Sequence, residues 1–154
     1  MSRKKAIDPA AIDSITQHIF QVMPLIRKRL LHMDVIQSEH GIPLSHVQVL
    51  SMLNGAGALS VSEISNRLGI AKPNITPLVD RLMQAHLVDR VRDDNDRRVV
   101  NVVILEEGRE KLRAIHQIVD EQVQDWAETV SAADFREFAD ALSVMTRVLG
   151  QSKK

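Results

Sequence analysis

The chain opens with a stretch in which apolar residues recur at helical spacing. Successive apolar residues lie three or four positions apart, except that Arg29 takes one position of the series. The apolar positions are Ile12, Ile15, Ile19, Val22, Ile26, Met33 and Ile36. This a/d pattern is typical of an amphipathic helix that packs against other helices. Pro9 suits the first turn of such a helix, whereas Pro24 predicts a kink within it. Gly41 and Pro43 then end the segment, so we expect one long helix from Pro9 to about His40.

The middle of the chain breaks into shorter helical units. Ser45 is placed to cap a first helix. Ser60 and Glu63 have the spacing of a capping box, which predicts a second helix that ends at Gly69. A third helix is expected over residues 70–86. Its apolar residues fall on one face, at Ile75, Leu78, Val79, Leu82 and Met83.

After this helix the pattern changes to that of strands. Residues 87–92 alternate between apolar and polar, residues 93–96 are a strong turn signal, and residues 99–105 are rich in β-branched side chains. These three patterns together predict a β-hairpin. In a winged helix-turn-helix the chain passes through a capped helix, a glycine turn, a second helix and a hairpin. The second helix normally enters the DNA major groove.

The rest of the chain returns to long helices. One is expected from residue 107 to about 130, and another after Ser131, with an a/d pattern at Phe135, Phe138, Leu142, Met145 and Leu149. These stripes are wider than a small winged domain can cover, so we expect a homodimer. The predicted fold class is mainly α with a β-hairpin wing. We divide it into an N-terminal dimerisation helix (1–40), a winged helix-turn-helix DNA-binding domain (41–105) and C-terminal dimerisation helices (106–154).

Composition excludes several classes of function. The 154 residues carry 20 Lys and Arg against 20 Asp and Glu, so global charge does not favour a nucleic-acid partner. No cysteine is present, which removes disulfides and thiolate metal sites. No apolar run approaches the roughly 20 residues that span a bilayer, so we expect no membrane partner and a cytoplasmic location. Phosphate-loop, nucleophile-elbow and HExxH motifs are absent, and we expect no catalytic residue, no cofactor and no metal site.

Three stretches together resemble the MarR family of transcriptional regulators. Residues 59–70 are similar to the opening of its helix-turn-helix, and residues 74–82 to its recognition helix. Arg90 and residues 94–98 resemble its wing, with the D-x-R pattern at Asp96 and Arg98. The similarity spans about residues 42–115. It implies a homodimeric regulator that binds an inverted repeat in double-stranded DNA, which we expect to be a repressor released by a small-molecule effector.

The outward face of the recognition helix supplies the first candidate DNA contacts. Lys72, Asn74, Thr76 and Arg81 lie off its apolar stripe. Asparagine can bond both N6 and N7 of adenine, threonine can contact bases or phosphate, and lysine suits a phosphate. We hypothesise that Asn74 is the N-cap, which would put Pro77 at the third helical position, where its missing N–H costs no bond. The alternative is that Asn74 and Thr76 only cap the helix.

The wing and two helix starts supply the other candidate DNA contacts. The resemblance points to Arg98 as the residue that enters the minor groove, with Asp96 orienting its guanidinium and Arg97 as a second contact. The alternative is a solvated salt-bridge cluster. Ser45, His46 and Ser62 lie at helix starts, where they could hold backbone phosphates or simply cap.

The resemblance also implies an effector pocket between the dimerisation helices and the winged domain. Its expected walls are Phe20, Met23, Arg27, Ile115 and Val119; the alternative is that these residues are only core. Two other functions stay open on the sequence: a winged domain that binds protein instead of DNA, and a DNA-binding dimer without an effector.

Overall fold

The computed structural model describes residues 7–151 and confirms the predicted fold class. Most of these residues are helical, and three short strands form one antiparallel sheet. The helices are α1 (Pro9–Arg29), α2 (Met33–His40), α3 (Leu44–Ala56), α4 (Val61–Leu68), α5 (Lys72–Gln84), α6 (Glu106–Ala127) and α7 (Ala132–Leu149). The strands are β1 (Ala58–Ser60), β2 (Val88–Arg92) and β3 (Val100–Ile104).

The described chain divides into two compact units. Residues 33–118 form the winged unit, and residues 7–32 with 119–151 form the helical unit. The winged unit thus contains α2 and the first half of α6, which the sequence placed outside residues 41–105. The dimerisation role assigned to the flanking helices stays a prediction.

The single long helix predicted for residues 9–40 is wrong, because α1 ends at Arg29 and α2 begins at Met33. Pro24 lies within α1 and does not end it. The backbone N–H of His32 donates to the side-chain oxygen of Gln122 at 3.1 Å, and the His32 ring Nε2 lies 2.9 Å from the Lys28 carbonyl oxygen. In a continuous helix the His32 N–H would donate to the Lys28 carbonyl oxygen, and here each of these two groups has another partner.

The sheet of the winged unit has one more strand than the hairpin predicted. Its order is β1-β3-β2, with Leu59 opposite Val102 and Val88 opposite Ile104. These four side chains are buried and join the core beside the helices. Buried residues of α2 to α6 also belong to this core, among them Ile36, Leu50, Leu53, Ile64, Ile75, Leu82 and Ile115.

Gly108 lies where the start of α6 comes close to the sheet. It is the third residue of α6 and is buried. A β carbon at this position would collide with the carbonyl oxygen of Leu87 and lie 2.8 Å from Cγ1 of Ile104. The absence of a side chain at residue 108 therefore permits the approach of α6 to the residues that flank β2 and end β3.

The helical unit has an aromatic cluster at one end and exposed apolar side chains elsewhere. Trp126 packs against Phe135 and Phe138, with ring centroids 5.8 Å and 4.9 Å apart. The N-cap predicted at Ser131 is confirmed, since its hydroxyl accepts the Asp134 N–H at 3.0 Å. Large apolar side chains are exposed along α1 and the second half of α7, among them Ile12, Ile15, Ile19, Phe20, Val144, Met145, Val148 and Leu149.

Candidate nucleic-acid interface

Local hydrogen bonds fix both ends of α4. The Ser60 hydroxyl accepts the Glu63 N–H at 3.2 Å, and the Ser60 N–H donates to the Glu63 carboxylate at 2.7 Å. The bond from the Ser60 N–H, and next a bond from the Ser60 hydroxyl, lower the pKa of the Glu63 carboxyl group below its usual value. At the other end, Gly69 adopts the left-handed conformation (φ 65°), and the Ser65 hydroxyl donates to the Ile70 carbonyl at 2.6 Å. The predicted capping box and glycine stop are both confirmed.

The start of α5 differs from the hypothesis that Asn74 is the N-cap. The helix begins at Lys72, after Ala71, and the Asn74 N–H already donates to the Ala71 carbonyl at 2.8 Å. The N-cap hypothesis is therefore wrong, and Pro77 lies inside the helix. Pro73 explains the earlier start, because proline suits the first turn of a helix.

The two faces of α5 separate as the periodicity predicts. Four of its apolar side chains are buried, namely Ile75, Leu78, Val79 and Leu82. The opposite face is exposed and carries Lys72, Asn74, Thr76, Pro77 and Arg81. Within residues 7–151 no side chain caps α5, and the Thr76 hydroxyl makes a long 3.5 Å contact with the Lys72 carbonyl. The polar groups of this face are thus available to a partner.

Asp93 organises the wing turn, a role that the sequence reading missed. Its carboxylate accepts the backbone N–H groups of Asn95 and Asp96 at 2.8 Å and 3.0 Å and the side-chain amide of Asn101 at 3.1 Å. The two backbone bonds are the main reason that its pKa is lowered. An aspartate followed by polar turn residues is a known Asx-turn signal and could have revealed it.

Arg98 stands out from the wing with its guanidinium held by Asp96. Its Nε donates to Oδ1 of Asp96 at 3.1 Å and its Nη2 to Oδ2 at 3.3 Å, while its backbone N–H donates to Oδ1 at 3.0 Å. The Arg98 side chain is nevertheless 91% exposed. The bonds from Arg98 lower the pKa of Asp96. Arg97 beside it is also exposed.

The wing turn should lose its order in acid. The pKa values of Asp93 and Asp96 are both lowered in the folded chain, so their ionised forms stabilise the turn above the unfolded pKa. That contribution is lost as the pH falls through the folded values. We expect the Asn101 side-chain amide signals, followed by NMR, to move towards those of a free amide as the pH falls below the ordinary aspartate range. Asp93→Asn should show the free-amide signals already at neutral pH; signals that match wild type would contradict the assignment.

A salt bridge joins the recognition helix to the wing. Nη2 of Arg90, on β2, donates to Oδ1 of Asp80, on α5, at 2.7 Å. Both side chains are partly exposed. The bond connects the first wing strand directly to α5 within the winged unit.

The three residues at predicted helix starts have different surroundings. The helix α3 begins at Leu44 after Pro43, so Ser45 is not its N-cap, and Ser45 and Ser62 are half-buried. His46 is only 7% exposed, with its ring Nδ1 3.3 Å from the Ser45 hydroxyl. Burial, and next the charge of Arg81, lower its pKa. His46 is thus a buried neighbour of Ser45, and its direct contact with DNA stays a prediction.

Comparison with known proteins decides what this arrangement belongs to. Residues 40–99 match the model of the MarR family. Over 111 residues, which are 72% of this chain and 69% of the relative, the sequence is 30% identical to YfiV, an uncharacterised HTH-type transcriptional regulator of Bacillus subtilis. The chain belongs to the MarR family.

Two further proteins extend the comparison. Over 77 residues, half of each chain, the sequence is 32% identical to the HTH-type transcriptional repressor MdtR of Bacillus subtilis. The fold resembles that of a mutant MarR from E. coli in complex with operator DNA, with a TM-score of 0.69 and 22% identity over 93% of this chain and 99% of the other.

The effector-pocket residues expected from the MarR resemblance fall in both units. Phe20, Met23 and Arg27 are exposed on α1 of the helical unit, and Val119 is half-buried there. Ile115 belongs to the winged unit and is 1% exposed. The pocket itself stays a prediction.

Within residues 7–151, no three His, Asp or Glu side chains are grouped so that they could hold a metal ion. Over the same residues, no helix combines the length and the apolar character that a membrane span requires.

Proposed function

We propose that the chain is a sequence-specific transcriptional regulator that binds an inverted repeat in double-stranded DNA as a homodimer. The observation that carries the proposal is the shared exposure of two elements linked by the Arg90–Asp80 salt bridge: the polar face of α5 and the wing arginine Arg98. The likeness to a MarR protein bound to operator DNA supports the same use of the fold.

The polar face of α5 contacts the major groove in this proposal. The side-chain amide of Asn74 can bond adenine through two atoms, and Thr76 lies near enough along the helix to contact the neighbouring base or phosphate. Lys72 and Arg81 carry the positive charges that contact phosphates and make affinity depend on salt. Ser45 and Ser62, at the starts of α3 and α4, add hydroxyl contacts to the DNA backbone.

The wing contacts the minor groove. Arg98 enters it, where a narrow groove concentrates negative potential, while Asp96 limits the orientations of the guanidinium. Arg97 contacts the flanking phosphate. Because Asp93, Asp94 and Asp96 would repel phosphates, the wing works through one placed arginine and not as a general basic patch.

Homodimer formation covers the exposed apolar side chains of α1 and α7. A second copy of the same chain offers the same stripes and therefore a self-complementary partner. Two copies would present two α5 helices to half-sites one helical turn apart. Repression follows if the bound dimer covers a promoter, as the repressor name of the relative MdtR suggests. An effector would act by changing the spacing of the two α5 helices.

Site selection from a random duplex library at fixed, stated salt tests the function. We expect wild type to recover an inverted repeat with half-sites about 10 base pairs apart. Asn74→Ala should lose the preference at one position of each half-site, by about 1–3 kcal/mol. Gln84→Ala, which removes an exposed amide at the other end of α5, should select the wild-type motif. Recovery of no motif, with weak binding controlled only by salt, would favour a winged domain that binds protein.

A further inference from the structure

Two neighbouring side chains form a hydrogen-bonded pair at the start of α3. Nδ1 of the His46 ring lies 3.3 Å from the hydroxyl oxygen of Ser45. These are the second and third residues of α3, and within residues 7–151 no side chain caps this helix. The N–H groups of its first turn therefore leave a partial positive charge beside the two side chains. We call these two residues the Ser45–His46 pair.

The His46 ring is buried, but one of its nitrogens is open to a partner. The residue is 7% exposed, and its side-chain hydrogen bond to the described residues is made through Nδ1. Among residues 7–151 no side-chain nitrogen is both buried and without a partner, so Nε2 reaches the surface. Because both nitrogens belong to one five-membered ring, Nε2 lies within a few ångströms of the half-buried Ser45 hydroxyl. One small anion can therefore contact both groups.

One positive charge on a neighbouring element acts on the ring. The elements that pack most closely on α3 are α5, β1 and β3. The two strands and the rest of α3 carry no charged residue, whereas α5 carries Lys72, Asp80 and Arg81. Asp80 is paired with Arg90. Burial, and next the charge of Arg81, hold the pKa of His46 below its usual value, so the ring is neutral in the free chain at neutral pH.

The number of outward hydrogen-bond donors in the Ser45–His46 pair depends on its charge. The neutral pair has one proton on the hydroxyl and one on the ring. One of these protons lies in the bond between the two residues, so in either tautomer a single O–H or N–H points outward. A further proton converts the ring to imidazolium. Nδ1–H then donates to the hydroxyl oxygen, and both Nε2–H and the Ser45 O–H can donate outward beside a full positive charge.

We propose that the Ser45–His46 pair binds a DNA phosphate in its cationic form, so that duplex binding takes up a proton. A phosphodiester carries one negative charge and two free oxygens, which match the charge and the two outward donors of the cationic pair. The same phosphate offsets the repulsion between the imidazolium and Arg81. The inference rests on the proposed function, in which Ser45 and Arg81 contact the DNA backbone, and it adds regulation by pH to that function.

Fluorescence anisotropy with the selected duplex, from about pH 8 to about pH 5.5, tests the proposal. Because the phosphate favours the cationic ring, we expect affinity to rise as the pH falls, by up to about tenfold per pH unit for one proton taken up. Titration calorimetry in two buffers of different ionisation enthalpy counts that proton directly. Asp93 and Asp96 stay ionised over this range, since their pKa values are lowered. Affinity that is constant, or that falls with the pH, would overturn the proposal.

Two histidine variants show whether His46 is the group that takes up the proton. Glutamine can still bond Ser45 but cannot be protonated, so His46→Gln should bind within a few fold of wild type at pH 8 and lose the rise in acid. His116 is exposed on α6, and His116→Gln removes one imidazole while keeping both the rise and the proton uptake. Equal proton uptake by wild type and the two variants would mean that another group is protonated, against the proposal.

Ser45→Ala gives a test that does not require His46→Gln to fold. Without the hydroxyl the neutral ring still has one outward N–H, but the cationic ring has one outward donor instead of two. We therefore expect little change in affinity at pH 8 and a smaller rise in acid. A hydroxyl that bonds the phosphate independently of His46 would cost the same factor at every pH, and that result would contradict the coupling of the two residues.

Affinity at pH 8 for the selected duplex and for a scrambled duplex tests the proposed function alone. A chain that prefers the selected duplex, but whose pH profile is the same in wild type and His46→Gln, keeps that function and refutes this inference. A chain that binds both duplexes equally, with proton uptake that depends on His46, would keep this inference and refute sequence-specific binding. A chain that binds neither duplex at any pH in the range refutes both.

Discussion

Gly108→Ala will destabilise the winged unit by about 3 kcal/mol, the upper part of the range for overpacking a core. In an ordinary helix the same change is stabilising by about 1 kcal/mol. Here the sign is reversed, because the new β carbon would collide with the backbone oxygen of Leu87 and crowd Ile104. A backbone atom cannot move aside as a flexible side chain can, so α6 must shift away from the sheet. Urea unfolding at a fixed chain concentration measures the change.

Gly55→Ala is the matched control for this prediction. Gly55 also lies inside a helix, α3, and a β carbon there would meet no atom within 4 Å. We expect this variant to be as stable as wild type or more stable. If the two alanine variants unfold at the same urea concentration, the close approach of α6 to Leu87 is not a constraint on the fold.

Arg98→Ala will weaken binding to the selected duplex by about ten- to a hundredfold at moderate salt. The variant loses the guanidinium that Asp96 holds at the wing tip and leaves Asp96 without its partner near the phosphates. Arg98→Lys should recover only part of the affinity, since an ammonium cannot make the paired bond to Asp96. Fluorescence anisotropy with the selected duplex measures both variants.

Arg113→Ala controls for the loss of one positive charge. Arg113 is an exposed arginine that donates to Glu106 at 3.0 Å, on α6 and away from the wing turn in sequence. If Arg113→Ala weakens binding as much as Arg98→Ala, the effect is one of net charge and the wing assignment is wrong. Arg97→Ala should have a smaller effect than Arg98→Ala, because among the described residues no carboxylate holds the Arg97 side chain as Asp96 holds that of Arg98.

Features encoded within a few residues could be predicted from the sequence. The capping box of Ser60 and Glu63, the stop at Gly69 and the cap at Ser131 each depend on atoms no more than three or four residues apart. The buried face of α5 and the wing hairpin follow from side-chain periodicity in the same way. These elements position most of the candidate site, so its candidate residues could be named before the fold was known.

Features that depend on contacts between distant residues could not be predicted from the sequence. The break between α1 and α2 is held by a bond from His32 to Gln122, ninety residues away. The strand β1 has three residues, too few for an alternating pattern, and exists because β3 supplies its partner. The N-cap of α5 was misplaced for a local reason: Asn74 is a good capping residue, but Pro73 favours an earlier start.

The bond between Arg90 and Asp80 has a consequence for engineering. A designer who transplants the wing of this chain onto another winged protein would carry Arg90 along but leave its carboxylate behind on the helix. The grafted hairpin would then lack this bond to the helix. Residues 72–104 should therefore be exchanged as a single cassette, and chimeras joined between Asp80 and Arg90 should recognise neither parent's site well.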